Sequence, residues 1–508
     1  MYPMADSGGD RIYQHLFFPH SDGQGGSDRE QPLGWSPFPT PLSWENDTAA
    51  SICLVSVLVV TALANLLFLP RRSARDTTPQ VEAASAATAH LATSSKGTER
   101  VDTLALTGLR GLAALHVALG HFAASSPLRV DLIGGASMSF FYLLSGFVMT
   151  LGYAKDLVGG DSSRLADFNK RRFWRNRFAR LFPMYMLTNA LFFMFQRIFI
   201  ADFAMDFLSD PKFDFNLALT ILGLNMWVYP LNAWLPISSQ IELPNNFVTW
   251  TVQTMAVFYI VFPSMLSWLQ SVRRRRLWVH VLFWLQATTF MSIVCIGLFW
   301  IDNFNTAYWS ARAWPLSRIP VFAMGCLAAV ERMHGGGHLT ALCRCPRRCS
   351  AESESARWGL RASALGFSYL LVLALGITLN SVRVTNAKLL QLREPMIRAS
   401  WEAFVPLLFI DLILALTHCG NHGVLAKLCR SKPMELMGDI AMAFYMVHFM
   451  TLSAVTQLCH QIAPRPHPGE MPQPSPWWLL FSCFALALVF GWFLTRFFED
   501  PTRKCLRA

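Results

Sequence analysis

The sequence predicts an all-α fold: a polytopic bundle of transmembrane helices, with ten spans in one domain and one extra span before it. Of its 508 residues, 53% are hydrophobic and 15% are charged, whereas about a quarter of a typical soluble domain is charged. Eleven apolar runs have roughly the length of a membrane span, and basic residues cluster at their ends. This composition excludes a disordered chain and a small disulfide-bonded scaffold.

Four segments are predicted along the chain. Residues 1–49 are rich in Gly, Pro, Ser and Asp, and they are expected to form a disordered extracytosolic segment. The first apolar run, 50–69, is expected to be an N-terminal transmembrane helix. The small and polar residues 70–102 are expected to be a cytosolic linker. Residues 103–503 contain the other ten runs and are expected to form the membrane domain.

Charges on either side of the first run predict its orientation. Glu45 and Asp47 precede the run, whereas Arg71 and Arg72 follow it. Because basic residues flank membrane spans on the cytosolic side, the N-terminus is expected to be outside. Asn46, in an N-glycosylation sequon, would then face the lumen or the exterior.

The membrane domain contains ten further runs of span length. They are 104–124, 136–154, 181–199, 247–269, 278–300, 316–331, 363–380, 401–417, 436–458 and 477–497. An additional run, 216–229, is short for a crossing and typical of a re-entrant or interfacial segment. If it does not cross, every later basic cluster lies in the cytosol, including the four arginines 273–276. We therefore predict that it does not cross.

The net charge of +11 reflects topology rather than nucleic-acid binding. The 43 Lys and Arg residues exceed the 32 Asp and Glu residues, but they lie at span ends, so no nucleic-acid partner is expected.

A group of cysteines and histidines has zinc binding as one interpretation. The group consists of Cys343, Cys345 and Cys349, with His334 and His338 nearby. Their spacing lacks a paired Cys-x-x-Cys, and it suits palmitoylation equally. We predict no metal.

The first span of the domain carries two histidines on different faces. Arg110 and His121 are eleven positions apart, which places both on one helix face about 16 Å from each other. His116 points about 140° away from His121, as expected for a packed, hydrogen-bonded core histidine. Arginine and histidine on one stripe of a membrane helix need an aqueous or protein-lined cavity. His121 is therefore a functional candidate, and the alternative is an interhelical hydrogen bond.

Two later motifs combine packing and charge. Ser145 and Gly146 lie inside an aromatic run, where small residues permit close helix packing. Further on, a basic run enters a membrane span whose first turn is expected to contain Pro183. Within that run Arg177 and Arg180 share a face nearest the apolar residues, where guanidinium groups can hold phosphates. The more distant Arg171, Arg172 and Arg175 are interpreted as positive-inside flanking residues.

These motifs together resemble the acyltransferase-3 family of integral membrane O-acyltransferases, over about residues 102–503. The matching pieces are Arg110-Gly111-Leu112-Ala113 with His121, the string from Phe140 to Phe147, Arg177-x-x-Arg180-x-x-Pro183-x-Tyr185, Trp250-Thr251-Val252, Arg318 to Gly325, Gly438 to His448, and Glu499-Asp500-Pro501. The resemblance implies ten spans with both ends of the domain in the cytosol, in agreement with the charge pattern.

The resemblance also implies an activity and a set of roles. Members of the family transfer an acyl group, often acetyl, from a cytosolic acyl-CoA to a hydroxyl of a carbohydrate, lipid or small metabolite. His121 matches the essential histidine and would be the general base. Arg110 would act electrostatically on the donor or the developing oxyanion, and Arg177 and Arg180 would bind the donor. The chain is then a multi-pass protein of an endomembrane or the plasma membrane, with the bilayer, acyl-CoA and the acceptor as partners.

Three features leave alternatives open. Many family members have a glutamate where this chain has Met255, which keeps a catalytically weakened scaffold as an alternative. Tyr445 and His448, three positions apart on one helix, are a candidate polar track or a hydrogen-bonded interhelical pair. Buried Arg, His and Asp411 would also suit a transporter of a polar or anionic solute.

Overall fold

The computed structural model describes residues 101–127, 130, 132–153, 168–199, 211–233, 241–244, 246–296, 304–334, 339, 351–381, 387–462 and 475–507. The predicted N-terminal span 50–69, the linker 70–102 apart from its last two residues, and Asn46 lie outside these residues. So do Cys343, Cys345 and Cys349. The four-segment division of the chain therefore stays a prediction.

The described residues form helices and contain no strand. The helices are α1 (Leu104–Ala124), α2 (Ala136–Tyr153), α3 (Lys170–Phe199), α4 (Pro211–Leu222), α5 (Asn225–Val228), α6 (Trp250–Ser271), α7 (Arg275–Ile296), α8 (Phe304–Ala313), α9 (Pro315–Met333), α10 (Ala351–Ser381), α11 (Ala387–His418), α12 (Val424–Cys429), α13 (Lys432–Ile462), α14 (Trp477–Leu494) and α15 (Asp500–Arg507). Short 3₁₀ turns at Tyr229–Ala233 and Phe247–Thr249 precede α6, and a π-helical turn at Thr495–Glu499 joins α14 to α15.

Within the described chain, nine helical stretches are long and apolar enough to cross a membrane. They coincide with nine of the ten predicted spans of the domain. The tenth, α1, has 21 residues and is about 31 Å long, but Arg110, His116 and His121 lower its hydropathy. The prediction of an all-α polytopic membrane protein is confirmed.

Several helices extend beyond the apolar runs. The prediction that Pro183 lies in a first helical turn is wrong, because α3 begins at Lys170 and Pro183 lies inside it. The physical reason is that arginine and lysine are good helix formers, so the basic run continues the helix outside the apolar segment. Helices α10 and α11 are likewise longer than their runs at the N-terminal end.

The short apolar run 216–229 is divided between several elements. It begins inside the 12-residue helix α4, turns at Gly223, whose φ is +70°, and continues through the four residues of α5. Crossing a bilayer as a helix needs about 20 residues. The broken backbone agrees with a segment that does not cross, and the side of the membrane stays a prediction.

Close helix contacts at two glycines hold the domain together. A methyl group on Gly438 of α13 would overlap the carbonyl oxygen of Thr107 in α1, and one on Gly146 of α2 would overlap the carbonyl oxygen of Phe322 in α9. Small residues are needed where helix backbones approach this closely. The packing role predicted for Gly146 is confirmed.

Helices α1 and α13 run parallel. Arg110 of α1 contacts Gly438 of α13, and eleven residues later His121 contacts His448. Both helices therefore begin on the same side of the bundle, which agrees with a topology that places both N-terminal ends in the cytosol. Their shared interface carries the candidate site.

Candidate active site

His121 lies in an aromatic environment near the C-terminal end of α1. Its ring centroid is 6.2 Å from that of Phe247, 5.3 Å from that of Phe449 and 5.4 Å from that of His448. The side chain is partly exposed. No hydrogen bond joins its imidazole to another residue that the structure describes, so both ring nitrogens are available to a substrate.

His448 is completely buried beside His121, and a single hydrogen bond determines its tautomer. Its Nδ1 lies 2.6 Å from the carbonyl oxygen of Tyr445. Because a carbonyl can only accept, Nδ1 must carry the proton in the neutral ring, and Nε2 is an acceptor. No described group bonds to that Nε2. The pair His121 and His448 therefore contains imidazole nitrogens that can accept protons.

Tyr445 is anchored to another helix rather than to the side chain of His448. Its hydroxyl donates to the carbonyl oxygen of Val248 at 3.0 Å and lies 3.6 Å from the sulfur of Met138. The interhelical alternative thus describes Tyr445 well. His448, in contrast, extends toward His121, so only one of the two predicted residues adjoins the candidate base.

Both ring nitrogens of His116, on the same helix, form hydrogen bonds. Nε2 lies 2.8 Å from the carbonyl oxygen of Leu132 and must therefore donate, while Nδ1 lies 2.8 Å from the hydroxyl of Ser137 and accepts. The ring also packs edge-on against Tyr369. This is the hydrogen-bonded core histidine that helix geometry predicts.

Arg110 lies three helical turns from His121. Its Nε donates to the carbonyl oxygen of Gly438 at 3.0 Å, and one terminal nitrogen donates to the same oxygen. The charges that act on Arg110 are those of Arg180, Asp439, Glu499 and Arg503. Arg110 thus belongs to a charged cluster at the N-terminal end of α1 and is remote from the imidazole of His121.

Arg177 and Arg180 are partly buried, whereas Arg171, Arg172 and Arg175 are exposed. A terminal nitrogen of Arg177 donates to the hydroxyl of Tyr153 at 3.0 Å. The Arg177 guanidinium also lies over three aromatic rings, those of Tyr153, Phe173 and Tyr259, at 5.0 to 5.9 Å. The structure therefore separates the two inner arginines from the flanking ones, as expected from the sequence.

The C-terminal helix α15 adds two arginines to this region. Arg175 donates to the backbone carbonyl of Arg507 at 2.9 Å, which ties α15 to α3. The guanidinium of Arg507 is within electrostatic range of Arg177, Arg180 and Arg503. Arg503 and Arg507 belong to the last of the basic clusters that the charge pattern predicts to be cytosolic, and nothing in the sequence shows that α15 packs on α3.

A second polar cluster near His121 has no counterpart among the sequence predictions. Glu402 of α11 accepts from Arg318 of α9 at 2.5 Å and lies 3.3 Å from Nε of Arg312 in α8. The Tyr308 hydroxyl donates to the same carboxylate at 3.1 Å. Arg318 belongs to one of the family motifs, but 84 residues separate it from Glu402, so the pairing leaves no local sequence signal.

The residues around the family's glutamate position are structural. Met255 is partly buried and packs against the main hydrophobic core. Gln253 donates to the hydroxyl of Tyr185 and to the side-chain oxygen of Asn225, and it accepts from the amide of Met226. All polar atoms of Gln253 are engaged, so it does not replace the missing carboxylate.

Another ion pair with a buried carboxylate lies away from this site. Arg361 pairs with the buried Asp411 at 2.8 Å, so this aspartate has a structural partner within the bundle. Among the described residues, no three His, Cys, Asp or Glu side chains are grouped as metal ligands.

Together the described helices and the polar interface between them define a class: a multi-pass membrane protein. The model of the acyltransferase-3 family, described as an acyltransferase domain, matches residues 103–496. The chain therefore belongs to the acyltransferase-3 family, and it is an enzyme that transfers acyl groups.

Two relatives are similar to this chain, and the first of them is named as an acyltransferase. The acyltransferase MdmB of Streptomyces mycarofaciens is 26% identical over 434 residues, which cover 79% of this chain and 92% of that protein. Protein 2 in the picA locus of Rhizobium radiobacter is 39% identical over 93 residues, or 17% of this chain and 41% of that protein. No solved structure matches the chain.

Proposed function

We propose that this enzyme transfers an acetyl group from acetyl-CoA to a hydroxyl of a carbohydrate, lipid or small metabolite, in an endomembrane or the plasma membrane. The observation that carries the proposal is the separation of two polar regions on α1. His121, which forms no hydrogen bond with a described residue, lies at one end, and a cluster of arginines lies at the other.

His121 is the general base of the proposed reaction. Its unprotonated nitrogen takes the hydroxyl proton of the acceptor as the acceptor oxygen attacks the thioester carbonyl carbon. The new C–O bond forms, the C–S bond breaks, and the thiolate of CoA leaves. The proton on His121 then passes to this thiolate, which restores the base and balances the reaction.

The arginine cluster would hold the donor. Arg177 and Arg180 are partly buried. Arg180 is within electrostatic range of Arg110, and both Arg177 and Arg180 are within electrostatic range of Arg507. Guanidinium groups bind phosphate through charge-assisted hydrogen bonds. Arg110 and His121 are about 16 Å apart along the helix, and acyl-CoA carries its phosphates and its thioester at opposite ends of an extended arm. One donor molecule can therefore occupy both regions.

The proposed topology places the donor region at the cytosolic face. A cysteine introduced beside Arg274, before α7, should be labelled by an impermeant reagent only from the cytosolic side, because the arginines 273–276 then obey the positive-inside rule. Labelling from the outside alone would mean that 216–229 crosses the membrane, and it would invert the later helices.

The activity is tested with purified protein, labelled acetyl-CoA, longer acyl-CoAs and a membrane extract. Mass spectrometry should identify acylated products that depend on the protein, with the label on a hydroxyl oxygen. Thioester that remains intact in every mixture, together with uptake of a polar solute in proteoliposomes, would support the transporter alternative. Binding of acyl-CoA without turnover would support the weakened scaffold.

A further inference from the structure

A row of partly exposed side chains leads from His121 to Arg312. The ring of Phe247 is 6.2 Å from His121 and 5.2 Å from Trp309. The guanidinium carbon of Arg312 then lies 5.1 Å from the centre of the Trp309 ring. These residues come from α1, from the turn before α6, and from α8. Tertiary packing alone therefore brings the arginine toward the candidate base.

Arg312 is held in position by several groups. Its Nε is 3.3 Å from Oε1 of Glu402, and a terminal nitrogen lies 3.2 Å from the hydroxyl of Tyr308. The guanidinium also lies over the rings of Trp250 and Trp309. A cation that an ion pair and aromatic rings already hold in place needs little reorganisation when negative charge develops nearby. Such preorganisation is what makes electrostatic stabilisation of a transition state effective.

The charges of the cluster do not cancel. Glu402 is shared by two arginines, Arg312 and Arg318, so these three residues carry one net positive charge. The Arg318 side chain is 0% exposed and that of Glu402 1%, whereas the Arg312 side chain is 17% exposed. Arg312 is therefore the member of the cluster that is accessible to solvent or a substrate, while the fully buried Arg318 forms an ion pair with Glu402.

The electrostatic surroundings of His121 are positive. The charged or ionisable groups that act on it are His448 from α13, Arg312 from α8 and Arg398 from α11. Arg110 is bonded to Gly438 three turns away, so it cannot reach a carbonyl oxygen beside His121. A developing oxyanion at this end needs a different cation.

We propose that Arg312 is the cation of the reacting centre and stabilises the negative charge that develops on the thioester carbonyl oxygen during attack. Glu402 and Arg318 are positioning residues that hold the Arg312 guanidinium. This inference rests on the proposed function, because it assigns a role within the same acyl transfer. It moves the oxyanion role from Arg110 to a residue that the sequence does not single out.

Kinetics of the full-length Arg312→Gln and Arg312→Lys variants test this assignment, with acetyl-CoA and the acceptor extract. Removal of one oxyanion donor typically lowers kcat by about a hundredfold to a thousandfold. We expect such a loss for Arg312→Gln with a much smaller change in the KM for acetyl-CoA. Arg312→Lys, which keeps the charge, should regain part of the rate.

The pH profile separates catalysis from packing. Without the Arg312 cation, protonation of His121 becomes easier, so the acidic limb of the rate profile should move to higher pH in Arg312→Gln. Arg361→Gln is the matched control, because it also removes an arginine from a buried ion pair. It should lower the yield of folded protein while leaving kcat and the acidic limb of the folded fraction unchanged.

Each outcome decides a different claim. If His121→Ala is inactive while folded Arg312→Gln keeps the kcat and pH limb of the unsubstituted enzyme, the role of Arg312 is wrong and the proposed function stands. If the unsubstituted protein transfers nothing, the proposed function itself fails. If Arg312→Gln does not fold, Arg312→Met, which also removes the charge, decides: a kcat and an acidic limb equal to those of the unsubstituted enzyme contradict the inference.

Discussion

The two ends of helix α1 differ in how their polar groups are compensated. At the N-terminal end, Arg110 is bonded to a backbone carbonyl and lies among Asp439, Glu499 and other arginines. At the C-terminal end, His121 lies among aromatic rings and another histidine, without a hydrogen-bond partner among the described residues. The first environment is suited to holding charge on a ligand, and the second to moving a proton.

The same contrast appears between two histidines of α1. His116 uses both nitrogens in hydrogen bonds to Leu132 and Ser137. These bonds fix the orientation of the ring and engage the nitrogen lone pair that would otherwise accept a proton. His121 uses neither nitrogen in a hydrogen bond to a described residue. Helices that carry a polar residue through a membrane normally satisfy it internally, so a histidine with no hydrogen-bond partner among the described residues is the stronger candidate for a role with a substrate.

The largest effect is expected from His121→Ala. Loss of a general base typically lowers the rate by about two to four orders of magnitude, while the expression and folding of the variant should be retained because the side chain bonds to no described group. Initial rates of acyl transfer with purified protein measure the loss. A rate near that of the unsubstituted enzyme would contradict the assignment.

His116→Ala is the matched control on the same helix. It should leave turnover nearly unchanged and lower stability by about 1 to 3 kcal/mol, because the groups that bonded the ring lose their partner. Thermal unfolding in detergent and rates per folded molecule separate the two effects. A large loss of turnover at full stability would remove the distinction between the two histidines.

The next effect is expected at the donor end. Arg177→Ala and Arg180→Ala should each weaken acetyl-CoA binding about tenfold to hundredfold, since a charge-assisted phosphate contact contributes about 1.5 to 3 kcal/mol. Exposed Arg171→Ala should change it little. Equilibrium binding of labelled acetyl-CoA measures the affinity of the three variants. Equal losses of affinity would indicate that these arginines serve only to orient the protein in the membrane.

A structural substitution should affect both ends together. Gly438→Ala places a methyl group against the carbonyl oxygen of Thr107 and must separate α1 from α13, at a cost of about 1 to 3 kcal/mol. The melting temperature should fall, and transfer should fall with it, because Arg110 and His121 both depend on this interface. Unchanged stability would contradict the close packing.

The smallest effect is expected at Asp102, just before α1. Burial raises the pKa of this carboxyl, but the Leu104 amide and the Arg430 guanidinium outweigh burial and hold the pKa below its usual range. A lowered pKa stabilises the fold above the unfolded-state value, and this contribution is lost as pH falls through the folded-state value.

The side chain of Asp102 is 51% exposed, so Asp102→Asn should cost at most about 1 kcal/mol at neutral pH. Unfolding at neutral and acidic pH measures the cost, and the difference from the unsubstituted protein should vanish in acid. A difference that persisted in acid would exclude the ion pair with Arg430 as its origin.

The sequence predicts the parts of this molecule that local physics determines. Apolar runs identify the spans, and the 100° rotation per residue along a helix is enough to separate the face of His121 from that of His116. Helix ends are less predictable, because a basic segment such as the start of α3 continues a helix beyond the apolar run.

Pairs distant in the sequence could not be predicted. Glu402 is 84 residues from Arg318, and Arg507 meets α3 only after the last helix turns back on the bundle. No periodicity or local motif encodes such contacts. The candidate base was therefore within reach of sequence reasoning, whereas the charges that surround it were not.

We propose that donor binding and proton transfer occur at opposite ends of α1. The most direct test measures the binding of labelled acetyl-CoA and the transfer of its acetyl group on the same preparations. We expect His121→Ala to bind acetyl-CoA with unchanged affinity and to lose transfer, and Arg180→Ala to lose affinity while transferring at saturating donor. Loss of acetyl-CoA binding in His121→Ala, or transfer by that variant at the full rate, would contradict the separation.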